Sequence, residues 1–395
     1  MPDDENGMRT PKLRFPEFRE ARNWERLNLE AALDFQPGFP FPSAGFNEER
    51  MGPRLIRNRD LRSDDKIIYY SGTFDDEFVV NNGDVLVGMD GDFTPCLWNK
   101  GRALLNQRVG RILPKAGSHL RFLFYFLHAH LNDIEESTAR TTVKHLSHSD
   151  VEKLCEPLPS FGEQQKIAEC LTSLDEVIAA QGRKVGTLDA HKKGLMQQLF
   201  PREGEPLPRL RFPDFRDDSR SEFKRVGKFA KVTTGDKDTQ NRVADGKYPF
   251  FVRSQNVERI DSFSYEGEAV LTSGDGVGVG ENYHYIKGKF DFHQRVYCIY
   301  DFDAHASGQF FFHYFTLHFK KRVKQMSAKN SVDSVRMAMI TEMPIWMPAL
   351  AEQQRIAACL SSLDAGIAAE AEKLAGLKTH KKGLMQQLFP SRKGD

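Results

Sequence analysis

Asp214, Glu222 and Lys224 are the residue types of a metal-dependent nuclease. In such a site two carboxylates hold a divalent cation and a lysine steadies the attacked phosphodiester. Pro213-Asp214 followed by Glu222-Phe-Lys224 has the right spacing, but the segment reads as an arm between domains, without strands to hold both carboxylates on one metal. Gly274, Gly276, Gly278 and Gly280 follow a strand-like run. No Gly-Lys-Ser/Thr and no helix opens after them, so a turn or a close backbone approach is expected instead of a phosphate loop. His128-Ala-His130 and His145-x-x-His148 lack cysteine or carboxylate companions at ligand spacing, and no metal is expected there.

A second chemistry, base reading, needs Arg, Lys, Asn and Gln at base edges, with further basic groups on phosphate. The candidates in the first half are Arg54, Arg57, Asn58 and Arg59, then Arg140, Thr141 and Lys144. Those in the second half are Arg253, Gln255 and Asn256, then Lys329, Asn330 and Arg336. The same residues would equally furnish a solvated charged surface. Asn106-Gln107-Arg108 and His293-Gln294-Arg295 are a related pair of triads. Residues shared by two domains that read different bases should serve the fold or the phosphates, so these triads are set apart.

The elements that must position these groups emerge from length and repetition. At about 100–200 residues per domain, 395 residues make two or three domains. No run approaches the ~18 apolar residues of a spanning helix. Met1–Thr10 is polar and acidic with no apolar signal core, so a cytoplasmic location is expected. The five cysteines show no CxxC spacing, which argues against a disulfide framework and a cysteine zinc site. Lys plus Arg at 56 against Asp plus Glu at 55 neither demands nor excludes a nucleic-acid partner. Residues 20–157 carry 17 basic and 21 acidic side chains, and 216–346 carry 20 and 17. A broad electrostatic footprint is therefore not expected on the first half.

The chain repeats itself. Glu163–Pro201 and Glu352–Pro390 align without a gap at a shift of 189, with 26 of 39 positions identical. His191–Pro201 recurs unbroken as His380–Pro390, and Pro11–Arg19 recurs in close variation as Pro208–Arg216. Ile167, Leu171, Leu174, Ile178, Val185, Leu188, Leu195 and Leu199 keep an alternating 4,3 spacing. Ile356, Leu360, Leu363, Ile367, Leu374, Leu377, Leu384 and Leu388 repeat it. Gln181 and Lys192, and likewise Glu370 and Lys381, fill the positions where an apolar residue is missing. An apolar residue every 3.5 positions over five heptads predicts a coiled-coil seam. Each helix of about 38 residues would be ~57 Å long. Lys192-Lys193 and Lys381-Lys382 read as charges favoured by the helix C-terminus. Between the helices the sequence is rich in Gly, aromatic and β-branched residues. Asn82-Gly83 then Asp84–Val87 reads as turn then strand, and Gly267 then Glu268–Thr272 as its counterpart. Arg121–Leu127 and Phe310–Thr316 read as short buried helices.

The order globule, long helix, globule, long helix resembles the specificity subunit of Type I restriction-modification enzymes. Its marks are the helix starts Glu163-Gln164-Gln165 and Glu352-Gln353-Gln354 and the Leu-Met-Gln-Gln-Leu-Phe-Pro ends. Gly83–Leu86, Leu105–Arg108 and His293–Arg295 are smaller matches. The resemblance covers residues 11–390 and implies a mixed α/β fold with a pseudo-two-fold repeat. Two target-recognition domains, 20–160 and 220–350, would be separated by helices 161–201 and 351–390 in an antiparallel coiled coil. An arm (1–19), a linker arm (202–219) and a tail (391–395) complete the chain. By resemblance, each domain reads one half of a bipartite DNA site, and two methyltransferase subunits dock on the frame, joined by translocase-nuclease subunits. The chain itself would do no chemistry and bind no cofactor; S-adenosylmethionine, ATP and Mg would belong to the partners. No adenine-methyltransferase Asn-Pro-Pro-Tyr-type motif and no helicase motif is present, as that implies. The alternatives are a methylation-based defence system lacking the Type I nuclease, a metal-dependent nuclease through Asp214, Glu222 and Lys224, and a coiled-coil scaffold with no DNA role.

Two physical expectations follow from the repeat. A ~57 Å rod spans ~17 base pairs at ~3.4 Å each, the scale of a split site. The arm Pro11–Arg19 should sit beside the end of the second helix, as Pro208–Arg216 follows the first.

Overall fold

The computed structural model describes residues 11–137, 145–218, 220–276, 278–326 and 334–390, with the side chains of 132–137 left aside. It divides into two units, and the division falls inside both long helices. Unit 1 is Met1–Gln181 with Lys373–Asp395, and unit 2 is Gly182–Glu372.

In unit 1 the chain comes in on the strand Glu25–Asn28 and leaves on Cys155–Leu158. These two pair antiparallel, Glu25 with Leu158 and Asn28 with Cys155. Between them lie two small sheets. One runs Leu33–Pro37, Val109–Pro114, Val85–Gly88, Cys96–Leu97, and all its pairings are antiparallel. The other has five strands of two or three residues each. Helix α1 (Leu120–Ser137) and the short α2 (His148–Glu152) cover the first sheet. The core joins Trp24, Phe122 and Phe126 to Leu33, Phe35, Val85 and Ile112. Helix α3 (Phe161–Leu199) starts here. Its seam residues Ile167 and Leu171 are buried in the domain core, beside Leu388 and Phe389.

Unit 2 repeats the plan with a larger sheet. Glu222–Arg225 pairs antiparallel with Pro344–Met347 in the same in-and-out arrangement. The six-stranded sheet contains Lys231–Thr234, Val296–Tyr300 and Tyr265–Ser273 as neighbours, matching the first three strands of the unit 1 sheet. Tyr265–Ser273 forms a long hairpin with Tyr283–Phe292. Gly267 was expected in a turn. It lies instead inside this hairpin, opposite Gly288, and both have positive φ (152° and 143°). Paired glycines let a long strand pair bend without a side-chain clash. Helix α4 (Gly308–Met326) and the short α5 (Met337–Thr341) pack on this sheet, and α6 (Leu350–Leu388) follows. Ile356 and Leu360 are buried with Phe310, Phe315, Trp346, Leu199 and Phe200. The apolar runs read as short helices are thus the first halves of α1 and α4, 18 and 19 residues long.

Leu174, Ile178, Leu188, Leu195, Leu363, Ile367, Leu377 and Leu384 are half-buried. In unit 2 the long helices run antiparallel. Lys184 of α3 pairs with Glu370 of α6, and Lys192, further along α3, pairs with the earlier Asp364. No described helix is long and apolar enough to cross a membrane.

Candidate nucleic-acid interface

The arm and the helix starts form a clamp in each unit. Arg14 Nε and Nη2 donate to the Glu163 carboxylate at 2.9 and 2.6 Å, and Arg211 does the same to Glu352 at 2.8 and 2.5 Å. Both pairs are almost fully buried. The neighbouring glutamine joins the domain to the helix. Gln164 accepts from the His119 backbone N–H (2.9 Å) and donates to Pro159 O (3.0 Å). Gln353 accepts from Ser307 (3.0 Å) and donates to His305 O and Pro348 O (2.9 and 2.8 Å). The Glu-Gln repeat is therefore a fastening. Gln165 and Gln354 face solvent. The arm lies where the repeat placed it: Leu13 N–H donates to Gln387 O (3.0 Å), and Leu210 N–H to Gln198 O (2.9 Å).

Lys381 and Lys192 were read as helix-end charges. The structure corrects this, because each turns toward the other long helix and binds its aspartate. Lys381 Nζ lies 2.6 Å from Asp175, and Lys192 pairs with Asp364. Asp175 also accepts from the Tyr125 hydroxyl of α1 (2.7 Å), so one carboxylate ties α1, α3 and α6 together. Burial, first of all, and then the Asp175 carboxylate push the Tyr125 phenol far up. In unit 2, His313 of α4 lies 3.1 Å from Ser361 Oγ and 3.9 Å from Asp364. Burial, helped by nearby Lys192, lowers its pKa to about 4.

Two equivalent loops bring together Asn58 and Arg108 in unit 1, and Arg253 and Arg295 in unit 2. In unit 1 the loop after Val85–Gly88 carries Asp90, whose carboxylate lies 2.9 Å from His145 Nδ1 and 3.5 Å from Arg108. Its carbonyl accepts from Asn58 (2.6 Å). In unit 2 the loop after Tyr265–Ser273 carries Asp275, held by Arg253 (2.6 Å) and Arg295 (3.4 Å). The chain that follows α1 and the chain that follows α4 each dock on the loop of their own unit. Leu146 N–H donates to Met89 O, and Val335 N–H to Gly274 O. Arg140, Thr141, Lys144, Lys329 and Asn330 lie outside the described residues, in the stretches that end at these docking points.

The other candidates divide. Arg54 is only 10% exposed, packs 5.0 Å from the Trp98 ring centroid and pairs with Asp64. Arg57 donates twice to buried Asp60 (both 2.9 Å) and to Lys66 O. Arg54 thus meets a carboxylate through one nitrogen and Arg57 through two, so both have partners within the fold. Asn58 anchors the Asp90 loop, whereas Arg59 is exposed. Arg253 is half exposed beside Asp275, Gln255 donates to Glu281 O (2.7 Å), Asn256 is exposed, and Arg336 donates to Met326 O (3.1 Å). The shared triads are turns feeding the central strand of each matched sheet. Asn106 and His293 are buried, and Arg108 takes φ 70°.

The sequence reading missed Arg14, Asp90, Asp175 and the basic end of α4. The first three had a signal: Arg14 and Asp175 recur as Arg211 and Asp364, and Asp90 has Asp275 at the same point of the second sheet. Asp214 sits in a single helical turn, Pro213–Phe215, while Glu222 and Lys224 occupy a strand the sequence did not suggest and pair with each other (2.8 Å). Among the described residues no cluster of three His, Cys, Asp or Glu could hold a metal ion. His130 is turned inward, to Phe126 O (2.8 Å) and Glu156 (3.7 Å).

A sequence profile described as the Type I restriction modification DNA specificity domain matches twice, over residues 17–185 and 219–379. The chain belongs to this family. The specificity subunit of the Escherichia coli EcoBI Type I restriction enzyme is 38% identical over 153 residues, 38% of this chain and 32% of that protein. The EcoDI specificity subunit, also from Escherichia coli, is 30% identical over 139 residues, 35% of this chain and 30% of that protein. The matched stretches thus span about a third of these curated relatives' length. The S subunit of a Type I restriction-modification system from M. genitalium superposes with a TM-score of 0.68 at 16% identity. That likeness covers 98% of this chain and all of the other, and shows a common fold. A chain from a Type I system solved for its complex assembly and conformational transition gives 0.52 at 16% identity, over 93% of this chain and 98% of its own. Each match includes the clamp glutamate, Glu163 or Glu352, and the loop that carries Asp90 or Asp275, while Arg14 and Arg211 lie just before its start.

Proposed function

We propose that this chain is the DNA sequence-specificity subunit of a Type I restriction-modification complex. The domains 20–160 and 220–350 each read one half of a bipartite site in double-stranded DNA. Helices 161–201 and 351–390 pair as an antiparallel coiled coil, fix the spacing, and dock two methyltransferase subunits, to which restriction-translocase subunits add. The chain is non-catalytic. S-adenosylmethionine, ATP and Mg serve the partner subunits, one of which flips the target adenine out of the stack for methylation. Its place is the cytoplasm, with the chromosome.

One observation carries this reading. The DNA specificity domain occurs twice on a frame kept nearly residue for residue, while the loops at the equivalent Asp90 and Asp275 positions differ. One frame with two unlike surfaces is what reading two unlike half-sites requires. The nuclease alternative loses its support, since Glu222 is paired with Lys224 and Asp214 lies on a separate turn.

Mapping adenine methylation across the genome with this chain present and deleted, beside its methyltransferase partner, tests the reading. Loss of one split, asymmetric motif on deletion is the expected result. An unchanged map in a strain expressing the partner would refute it and favour a scaffold.

A further inference from the structure

The two recognition domains differ most in charge at one matched place. At the shift of 189, α1 and α4 align, and the sequences of their last two turns have opposite sign. The α1 sequence ends with Asp133, Glu135 and Glu136, where α4 has Lys320, Lys321, Arg322 and Lys324. Helix-dipole attraction favours cations at any helix C-terminus. The two helices are of nearly equal length, yet only one has them, so the dipole does not account for the difference.

The four cations do not all face the same way. Lys321 turns to Glu203 (2.5 Å), and Arg322 Nε donates to Met339 O (2.7 Å). Lys320 and Lys324, one turn apart on one face, are both exposed. Lys320 pairs with Glu281 at the end of the glycine-rich loop. Gly280 makes this approach possible. Its φ is 71°, and a Cβ there would lie 3.3 Å from Lys320 Cα. The two ammonium groups hold the Glu281 carboxyl below its ordinary range, Lys320 by its hydrogen bond and Lys324 by charge alone. The other end of the same loop carries Asp275, with Arg253 and Arg295 on it. Two cations that the matched Leu131 and Glu135 of the first domain do not repeat therefore stand beside the loop that runs from Asp275 to Glu281.

We infer that Lys320 and Lys324 grip the DNA phosphate backbone, giving the second domain a salt-sensitive hold that the α1 sequence does not repeat at the matched Leu131 and Glu135. This rests on the DNA-reading role proposed above. It adds that charge on the last two turns of α4 strengthens the hold on one of the two half-sites. Glu281 occupies Lys320 in free protein and yields it to phosphate.

The test uses the full chain assembled with its methyltransferase subunits, and random-sequence duplex DNA of about 50 base pairs titrated over a range of salt. The double variant K320Q/K324Q should bind roughly tenfold more weakly at low salt. Its plot of log affinity against log salt should be shallower by about two. E281Q, which removes the competing carboxylate, should bind more tightly than the unaltered complex. K287Q/K289Q, removing two charges elsewhere in the same domain, should keep the original slope. An unchanged slope in K320Q/K324Q overturns the grip while leaving DNA reading intact. An equal loss in K287Q/K289Q also overturns it, since net charge alone would then explain the effect. Failure of the unaltered complex to bind any duplex overturns the DNA-reading role and the grip together.

Discussion

Arg14 and Arg211 each lay a guanidinium flat against a carboxylate that water barely reaches. Removing one partner strands a buried charge, which costs about 3 kcal/mol, whereas removing both costs much less. R14M should therefore lower the urea midpoint markedly, and R14M/E163M should recover most of the loss. His313 makes a different prediction. Its pKa is lowered to about 4 in the fold and returns to an ordinary ~6.5 in the unfolded chain. Above pH ~6.5 it is neutral in both states and contributes nothing to pH dependence. As pH falls from ~6.5 to ~4, the unfolded chain takes up a proton that the fold refuses, and stability drops by up to about 3 kcal/mol. H313F, which installs the residue found at the matching Phe124, should flatten that part of the acid limb in pH-dependent unfolding. At this scale the sequence was a poor guide to the reading site. Arg54 and Arg57 have the same residue type as the more exposed Arg59, and only the fold shows them set against Trp98, Asp64 and Asp60. Charge pairing across long sequence separations leaves no local pattern to read.

Asp175 and Asp364 matter at the scale of elements, because each joins the two long helices and lies against a recognition-domain helix. A lysine at an apolar seam position is tolerated when a carboxylate on the facing helix meets it, and such a polar pair selects one register over its neighbours. K381M should lower stability by about 1 kcal/mol, since the pair is partly exposed. D175L/K381L should restore or exceed the original midpoint while broadening the register, read as additional cross-links between cysteines placed along α3 and α6. The long helices were legible because a 3.5-residue period over five heptads has no competing interpretation. The sheets were far less so. Many strands have only two to four residues, too few for alternation to show, and Gly267 looked like a turn because a glycine kink inside a strand carries the same local signal. Helices α1 and α4 were seen only as their apolar first halves, because charges interrupt the second halves, although Phe319 and Val323 carry the buried stripe of α4 onward.

The whole molecule is one plan written twice. The backbone bond from Leu13 to Gln387 matches that from Leu210 to Gln198, so the chain beginning and the second helix end meet as the linker and the first helix end do. Joining Pro390 to Pro11 through a short linker and opening the chain between Glu203 and Pro208 should give a folded protein. With its partners it should still direct methylation to the same motif, as sequencing of methylated DNA would show. Duplication made this scale the most legible of the three, since each copy served as a control for the other. Each globule is also hung from a single pair of adjacent strands, Glu25–Asn28 with Cys155–Leu158 and Glu222–Arg225 with Pro344–Met347. Chain comes in and goes out at one point, so a replacement for what is folded in between need keep only these strands and the contacts that α1 or α4 makes with the long helices, such as Tyr125 with Asp175 and His313 with Ser361. If the chain reads DNA as proposed, a lineage facing changing invaders acquires a new address by exchanging one coding segment that keeps those contacts.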